Sequence, residues 1–334
     1  MVPVKIYSQK SIGDYLRVRT GESRVGEAIG LVKGLDELPD RPERFVLLGI
    51  PEDIGVRANY GNQGTATAWG AFLSVFLNLQ DNSFCNPQDI LLIGEIDTRS
   101  EMDKADLLDA TDPNYAQKLG DLVSRIDQKV TTTVSTILKA GKTPVIIGGG
   151  HNNCLGNLAG LSEAIGKPVN ALNIDAHTDL RHRDYRHSGN GFSYALDRGF
   201  LNRYAVFGLH RNFTPSYIFE DAFLDSSIRL FNFEELGHAN LAEKFNNAID
   251  FVKEEPFGLE LDCDAIVQFP SSASSPIGFE LREILVMIRK ASGESNCNYF
   301  HVCEAIASET FRTGKALSYL VCEFIFNRGQ KIPL

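Results

Sequence analysis

At 334 residues, 43% of them hydrophobic and 23% charged, the chain can bury a sizeable core, and nothing in its composition shifts abruptly enough to divide it. A formal net charge of -10 argues against a nucleic-acid or anionic-membrane partner, the N-terminus lacks the basic-then-apolar layout of a signal peptide, and no apolar run approaches the roughly 18 residues needed to span a bilayer. The expectation is one cytoplasmic domain over residues 1–334, in which six scattered cysteines with no Cys-x-x-Cys pattern are reduced core thiols.

Residues 1–43 are polar and mixed, with Pro39 and Pro42 near their end, and read as an N-terminal extension packed on the main sheet. The first core strand is predicted at 45–50. A loop rich in Gly and Asn follows at 51–64, of the kind that turns and binding sites use, and it carries Arg57. The run 65–79 then reads as a helix with a broad apolar face. Further apolar or β-branched strands are predicted at 89–96, 143–147, 169–174, 204–209, 228–233, 257–261 and 299–303, with the clearest helices at 114–140, 241–252, 280–290 and 309–326. This alternation predicts an α/β protein, a three-layer α-β-α sandwich whose mainly parallel sheet has about eight strands.

Two of those strands end in unusual chemistry. One runs into Asp175, His177 and Asp179, spaced by two, which puts all three side chains on one face while the backbone stays extended. Another ends in Asp262 and Asp264, with Cys263 between them pointing to the opposite face. Four carboxylates brought together without a cation would repel strongly, and protonating them would discard their use. A third strand passes through Gly148-Gly-Gly150 into His151. Four Asp and two His suit Mn²⁺ or a similar divalent ion better than a structural Zn²⁺ site, and suffice for two ions with shared carboxylates. Parallel sheets bind ligands outside the carboxyl ends of their strands, and each of these groups, with Glu304, follows such an end.

Other residues read in two ways. Glu304 serves either as a substrate contact or as a buried salt-bridge partner. His187 lies in a loop eight residues after Asp179 and either packs or acts as a proton carrier. Arg181, Arg183 and Arg186 in that loop form either a solvated charge run or an anion clamp, to which Arg57 and Arg211 would add. The remaining histidines, His182, His210, His238 and His301, read as surface or packing residues. The triple glycine is no dinucleotide fingerprint, because Gly-x-Gly-x-x-Gly is absent.

In this order, Gly148-Gly-Gly-His151, Asp175-Ala-His-Thr-Asp179, Leu261-Asp-Cys-Asp264 and Glu304 resemble the arginase/agmatinase superfamily of binuclear manganese ureohydrolases, over residues 45–328. The loop 53–64 and the stretch Ser188-Gly-Asn190-Gly-Phe192 resemble its formimidoylglutamase branch. The chain departs from the pattern at Asn152-Asn153 and in lacking an Asp-Pro soon after Asp264. The resemblance implies two Mn²⁺ per subunit, one held by His151, Asp175, Asp179 and Asp262, the other by Asp175, His177, Asp262 and Asp264. It further implies that Asp179 orients a hydroxide nucleophile, that Glu304 pairs with the substrate's amidinium, and that the enzyme is a homo-oligomer cleaving N-formimidoyl-L-glutamate to glutamate and formamide. The alternatives are hydrolysis of a guanidino compound by the same site, and a protein of this fold that binds a metal or an amidine without turnover.

Overall fold

The computed structural model describes residues 3–329; residues 1, 2 and 330–334, included in the single-domain expectation, lie outside it. Nine strands form one sheet: β1 (Val4–Ile6), β2 (Phe45–Gly49), β3 (Ile90–Ile96), β4 (Thr143–Ile147), β5 (Val169–Ile174), β6 (Leu201–Leu209), β7 (Ile228–Asn232), β8 (Phe257–Asp262) and β9 (Cys297–Cys303). Their order is β1-β3-β2-β4-β9-β8-β5-β6-β7, and all neighbours are parallel except β1, which runs antiparallel to β3. The eight expected strands are present. The ninth, β1, is a three-residue edge piece in the polar N-terminal segment, where Lys5 pairs with Glu95 at 2.7 Å and its charge discourages further pairing along that edge.

Both faces of the sheet are covered, and the strands show why. In β2, Phe45 and Leu47 enter one apolar cluster and Val46 and Leu48 the other. The first cluster gathers Trp69 and Phe72 of the helix Ala68–Phe76 and Leu317 and Phe324 of the helix Thr310–Gly329. The second gathers Ile126 and Val130 of the helix Tyr115–Lys139 and Leu155 and Leu158 of the helix Cys154–Ile165. In β8, Phe257, Leu259 and Leu261 face the first cluster, so Glu260 and Asp262 face the other way. All six cysteines are free thiols, and no helix among the described residues is long and apolar enough to cross a membrane.

Candidate active site

The four middle strands of the sheet, β4, β9, β8 and β5, deliver the candidate residues at their carboxyl ends. After β4 the chain turns through Gly148 at φ +94° and Gly149 at φ +76°, backbone angles that glycine adopts without strain. A Cβ on Gly149 would lie 2.5 Å from Asn153 Nδ2. The turn carries His151 over the sheet edge and is fixed from below by the buried Glu52, whose Oε1 accepts from Gly150 N at 3.0 Å, Asn152 Nδ2 at 3.1 Å and Asn153 Nδ2 at 2.7 Å. The two asparagines that depart from the family pattern thus satisfy a buried carboxylate.

β5 ends at Ile174, so Asp175, His177 and Asp179 lie in the following loop and not on extended strand. Their convergence comes from the loop itself. His177 N donates to Asp175 Oδ1 at 2.7 Å, Asn173 Nδ2 donates to Asp175 Oδ2 at 2.9 Å, and Asp179 takes the left-handed conformation at φ +50°. At the end of β8, Asp264 N donates to Asp262 Oδ1 at 2.7 Å, and Ala273 N donates to Asp264 Oδ1 at 2.9 Å.

These supports bring all six expected ligands together. His151 Nδ1 lies 3.1 Å from Asp175, 3.0 Å from Asp179 and 3.2 Å from Asp262. His177 Nδ1 lies 3.6 Å from Asp175 and 3.8 Å from Asp264. The donor atoms of His151, Asp175, Asp179 and Asp262 all fall within 4.8 Å of one another, as do those of His177, Asp262 and Asp264, so Asp262 belongs to both groups. Asp175 meets the second group through Asp262 and through His177.

Electrostatics fit the donor set to a divalent ion. Burial, with the charges of Asp264 and Asp175, pushes Asp262 well above the usual carboxylate range, and burial raises Asp264 and Asp179 as well. Burial opposes charging His177, yet its hydrogen bond to Asp175 and the charge of that carboxylate push it up to about 10. The cluster therefore holds protons that a bound cation would displace.

Above the cluster opens a cavity of about 330 Å³ lined by His177, Asp179, Asp262, Asp264 and Glu304 and also by Asn59, Tyr60, Asn62, Arg181, Ser188 and Phe213. Glu304 stands at φ +61° at the end of β9; its Oε1 accepts from His151 N at 2.6 Å while Oε2 has no partner. Burial, then the charge of Asp264, pushes it up to about 8.

Of the expected anion-binding arginines, Arg181 alone is on the wall of this cavity. Long-range partners draw the others away. Arg57 donates to Asp106 at 2.7 Å and to Ala105 O at 2.9 Å; Arg183 pairs with Asp197 at 2.9 Å. The buried Arg186 makes two bonds to Asp127, at 2.8 and 3.1 Å, and donates to Asn152 O at 2.8 Å. Arg211 is exposed, 3.9 Å from Glu234. Asn190 is spent inside the loop, accepting from Arg186 Nη1 at 2.6 Å and donating to His182 O and Tyr185 O. His187 is off the wall as well: its Nδ1 accepts from Gly189 N at 3.1 Å, and burial pushes it down to about 4, so it is neutral at pH 7 and not poised as a proton carrier.

Two groups of neighbours escape the sequence reading. Asn59, Asn62 and Ser188 reach the wall through loop folding, which residue spacing does not announce. Glu260 and His301 pair at 2.5 Å beneath the cluster, and a signal existed for the first: Glu260 and Asp262 alternate on one face of an otherwise apolar strand.

The fold is matched by a known class. A model of the arginase family matches residues 43–326, and the chain belongs to that family. It is a hydrolase acting on the C–N bonds of linear amidines. The formimidoylglutamase of Aromatoleum aromaticum is 30% identical over 272 residues, 77% of this chain and 75% of its own length. That of Lysinibacillus sphaericus is 27% identical over 290 residues, 84% of each. In fold, the chain resembles Trypanosoma cruzi formiminoglutamase, solved with Mn²⁺, at a TM-score of 0.73 over 93% of this chain and 100% of that one, with 17% identity.

Proposed function

We propose that this chain hydrolyses N-formimidoyl-L-glutamate to L-glutamate and formamide, with His151, Asp175, Asp179 and Asp262 holding one Mn²⁺ and Asp175, His177, Asp262 and Asp264 a second. The observation that carries this reading is Asp262, common to two donor groups and lining, with Glu304, a cavity beside which the buried Oε2 of Glu304 has no hydrogen-bond partner. Bound there, two divalent ions would acidify a water and supply hydroxide at neutral pH.

The chain's own residues do the rest. Asp179, a member of the His151 donor group that also lines the cavity, accepts the nucleophile's proton in a hydrogen bond and so orients it toward the amidine carbon. Glu304 Oε2 accepts from the amidinium N–H groups, and the cation's arrival favours the ionised carboxylate over the protonated one. Its Oε1 is tied to the His151 backbone, so the pairing arm is fixed before substrate binds. Arg181, which lines this cavity, pairs with a carboxylate of the glutamate moiety. The names of the curated relatives support that substrate over guanidino compounds. The family resemblance extends the reading to a cytoplasmic homo-oligomer acting on this small molecule.

The test is turnover by Mn²⁺-loaded protein on N-formimidoylglutamate, arginine, agmatine and 4-guanidinobutyrate, with chelated protein as control. Formamide release from the first alone, lost on chelation, is the expected result. Urea release from a guanidino substrate would overturn the substrate and leave the site chemistry standing.

A further inference from the structure

Behind the candidate metal centre, on the face of β8 that carries Asp262, the sheet buries another carboxylate. Glu260 is 0% exposed, and its Oε2 accepts from His301 Nδ1 at 2.5 Å across the β8/β9 pair, in which the two residues are register partners. Its Oε1 accepts from Tyr299 Oη at 2.6 Å and from Asn157 Nδ2 at 3.4 Å. His301 Nε2 in turn lies 3.3 Å from Gly148 O, linking this carboxylate to the glycine turn that delivers His151. Stability is a poor reason for such a group, because an apolar pair of similar volume commonly replaces a buried ion pair at no loss.

His151 supplies a better one. Its Nδ1 faces Asp175, Asp179 and Asp262, while its buried Nε2 has no hydrogen-bond partner and lies 3.7 Å from Glu260 Oε2. The edge contact with Phe192, at 5.2 Å between ring centres, offers no acceptor. An imidazole that gives Nδ1 to a metal must carry its proton on Nε2, and that proton needs an acceptor to fix the tautomer and the ring plane. At 3.7 Å the contact is longer than a hydrogen bond, and a small rotation of the imidazole closes it.

We infer that Glu260, held by His301, Tyr299 and Asn157, is a positioning residue: it receives the Nε2 proton of His151 and so aims Nδ1 at the ion shared with Asp175, Asp179 and Asp262. The inference rests on the two-ion reading and assigns Glu260 to one ion only. The second ion, with His177 and Asp264, has no contact with it.

Calorimetric titration of metal-stripped full-length protein with Mn²⁺ tests this, together with the Mn²⁺ electron paramagnetic resonance signal. Glu260→Gln is expected to weaken one of two binding steps about 10–100-fold and to leave the other unchanged, turning a coupled two-ion signal into that of an isolated ion. Tyr299→Phe keeps the charge, removes one donor, and moves the same step the same way by less. It serves as the test on its own if the Gln variant does not fold. In a His177→Ala background, where the remaining ion is the one on His151, Glu260→Gln still weakens binding. Equal weakening of both steps would mark Glu260 as a structural residue, and unchanged affinity would remove any role; either overturns the inference. Failure of the unaltered chain to take up two ions would instead remove the metal reading beneath it.

Discussion

Two adjoining stretches, Asp175 to Asp179 and Arg181 to Asn190, are both dense in polar residues and are used in opposite ways. In the first, Asp175, His177 and Asp179 converge on one cluster, held there by the loop's own backbone. In the second, the side chains disperse: Arg183 to Asp197, Arg186 to Asp127, Asn190 back into the loop, and Arg181 to the cavity wall. The physical difference lies in what each charge can accept as a partner. Crowded carboxylates repel one another and need a cation that only a specific arrangement supplies, so their convergence signals a site. An arginine finds a carboxylate readily in a chain with 43 acidic residues against 33 basic ones, so clustering of arginines in sequence says little about where each guanidinium goes.

Breaking the first stretch's target should have the largest consequence. Asp262 belongs to both donor groups, and Asp262→Asn keeps its size while removing the shared charge. Turnover is expected to fall about 10³-fold or more, roughly 4 kcal/mol of barrier, with both Mn²⁺ binding steps lost in the same titration. Retention of one tight step would show that the two groups do not depend on this shared carboxylate.

Breaking the second stretch should cost stability instead. Arg186→Ala leaves Asp127 buried without its partner, and denaturant unfolding is expected to show a loss of about 3–5 kcal/mol. Replacing both residues with apolar side chains of similar volume should recover most of it. A catalytic role for Arg186 would leave the double variant stable and dead.

How much could be read from the residues alone follows the same division. The strands 45–50, 143–147, 169–174 and 257–261 were legible because each is a short apolar run covered on both faces, and three of the four end in Asp or His at the expected edge. β1 was not, because Val4-Lys5-Ile6 is too short for its alternation to stand out from the polar segment around it. The grouping of the six donors was legible because each follows the carboxyl end of a parallel strand, which puts them on one edge of the sheet where only a cation offsets their repulsion. The fates of Arg57, Arg183 and Arg186 were not, because Asp106, Asp197 and Asp127 lie on other elements and sequence spacing does not reveal such pairings. His187 failed for a related reason: only the fold buries it, and burial removes it from the titrating range near pH 7.

Within the second stretch, Arg181 and Arg183 sharpen the comparison. Arg181→Ala is expected to raise KM for N-formimidoylglutamate about tenfold, near 1.4 kcal/mol, with kcat little changed, because the interaction lost is with a part of the substrate that does not react. Arg183→Ala, which breaks an exposed pair with Asp197, should leave both parameters as they were. Equal effects from the two variants would remove Arg181 as the anion contact.

The smallest expected effect concerns the first stretch without its metal. Glu304 is raised from 4.5 to about 8 and His177 from 6.5 to about 10, so the folded chain binds more protons than the unfolded one across that interval. Stability must then fall as pH rises. The His177 contribution is complete below its ordinary value and is lost as pH climbs through about 10, while Glu304 becomes a buried charge as pH passes about 8. The melting temperature of stripped protein should therefore drop by a few degrees between about pH 6 and 9. Mn²⁺ reverses the sign, because its ligands bind it deprotonated and affinity rises with pH, so the gap between loaded and stripped protein should widen over the same range. A stripped protein that became more stable toward pH 9 would mean that these carboxylates and imidazoles do not hold the protons a cation would displace.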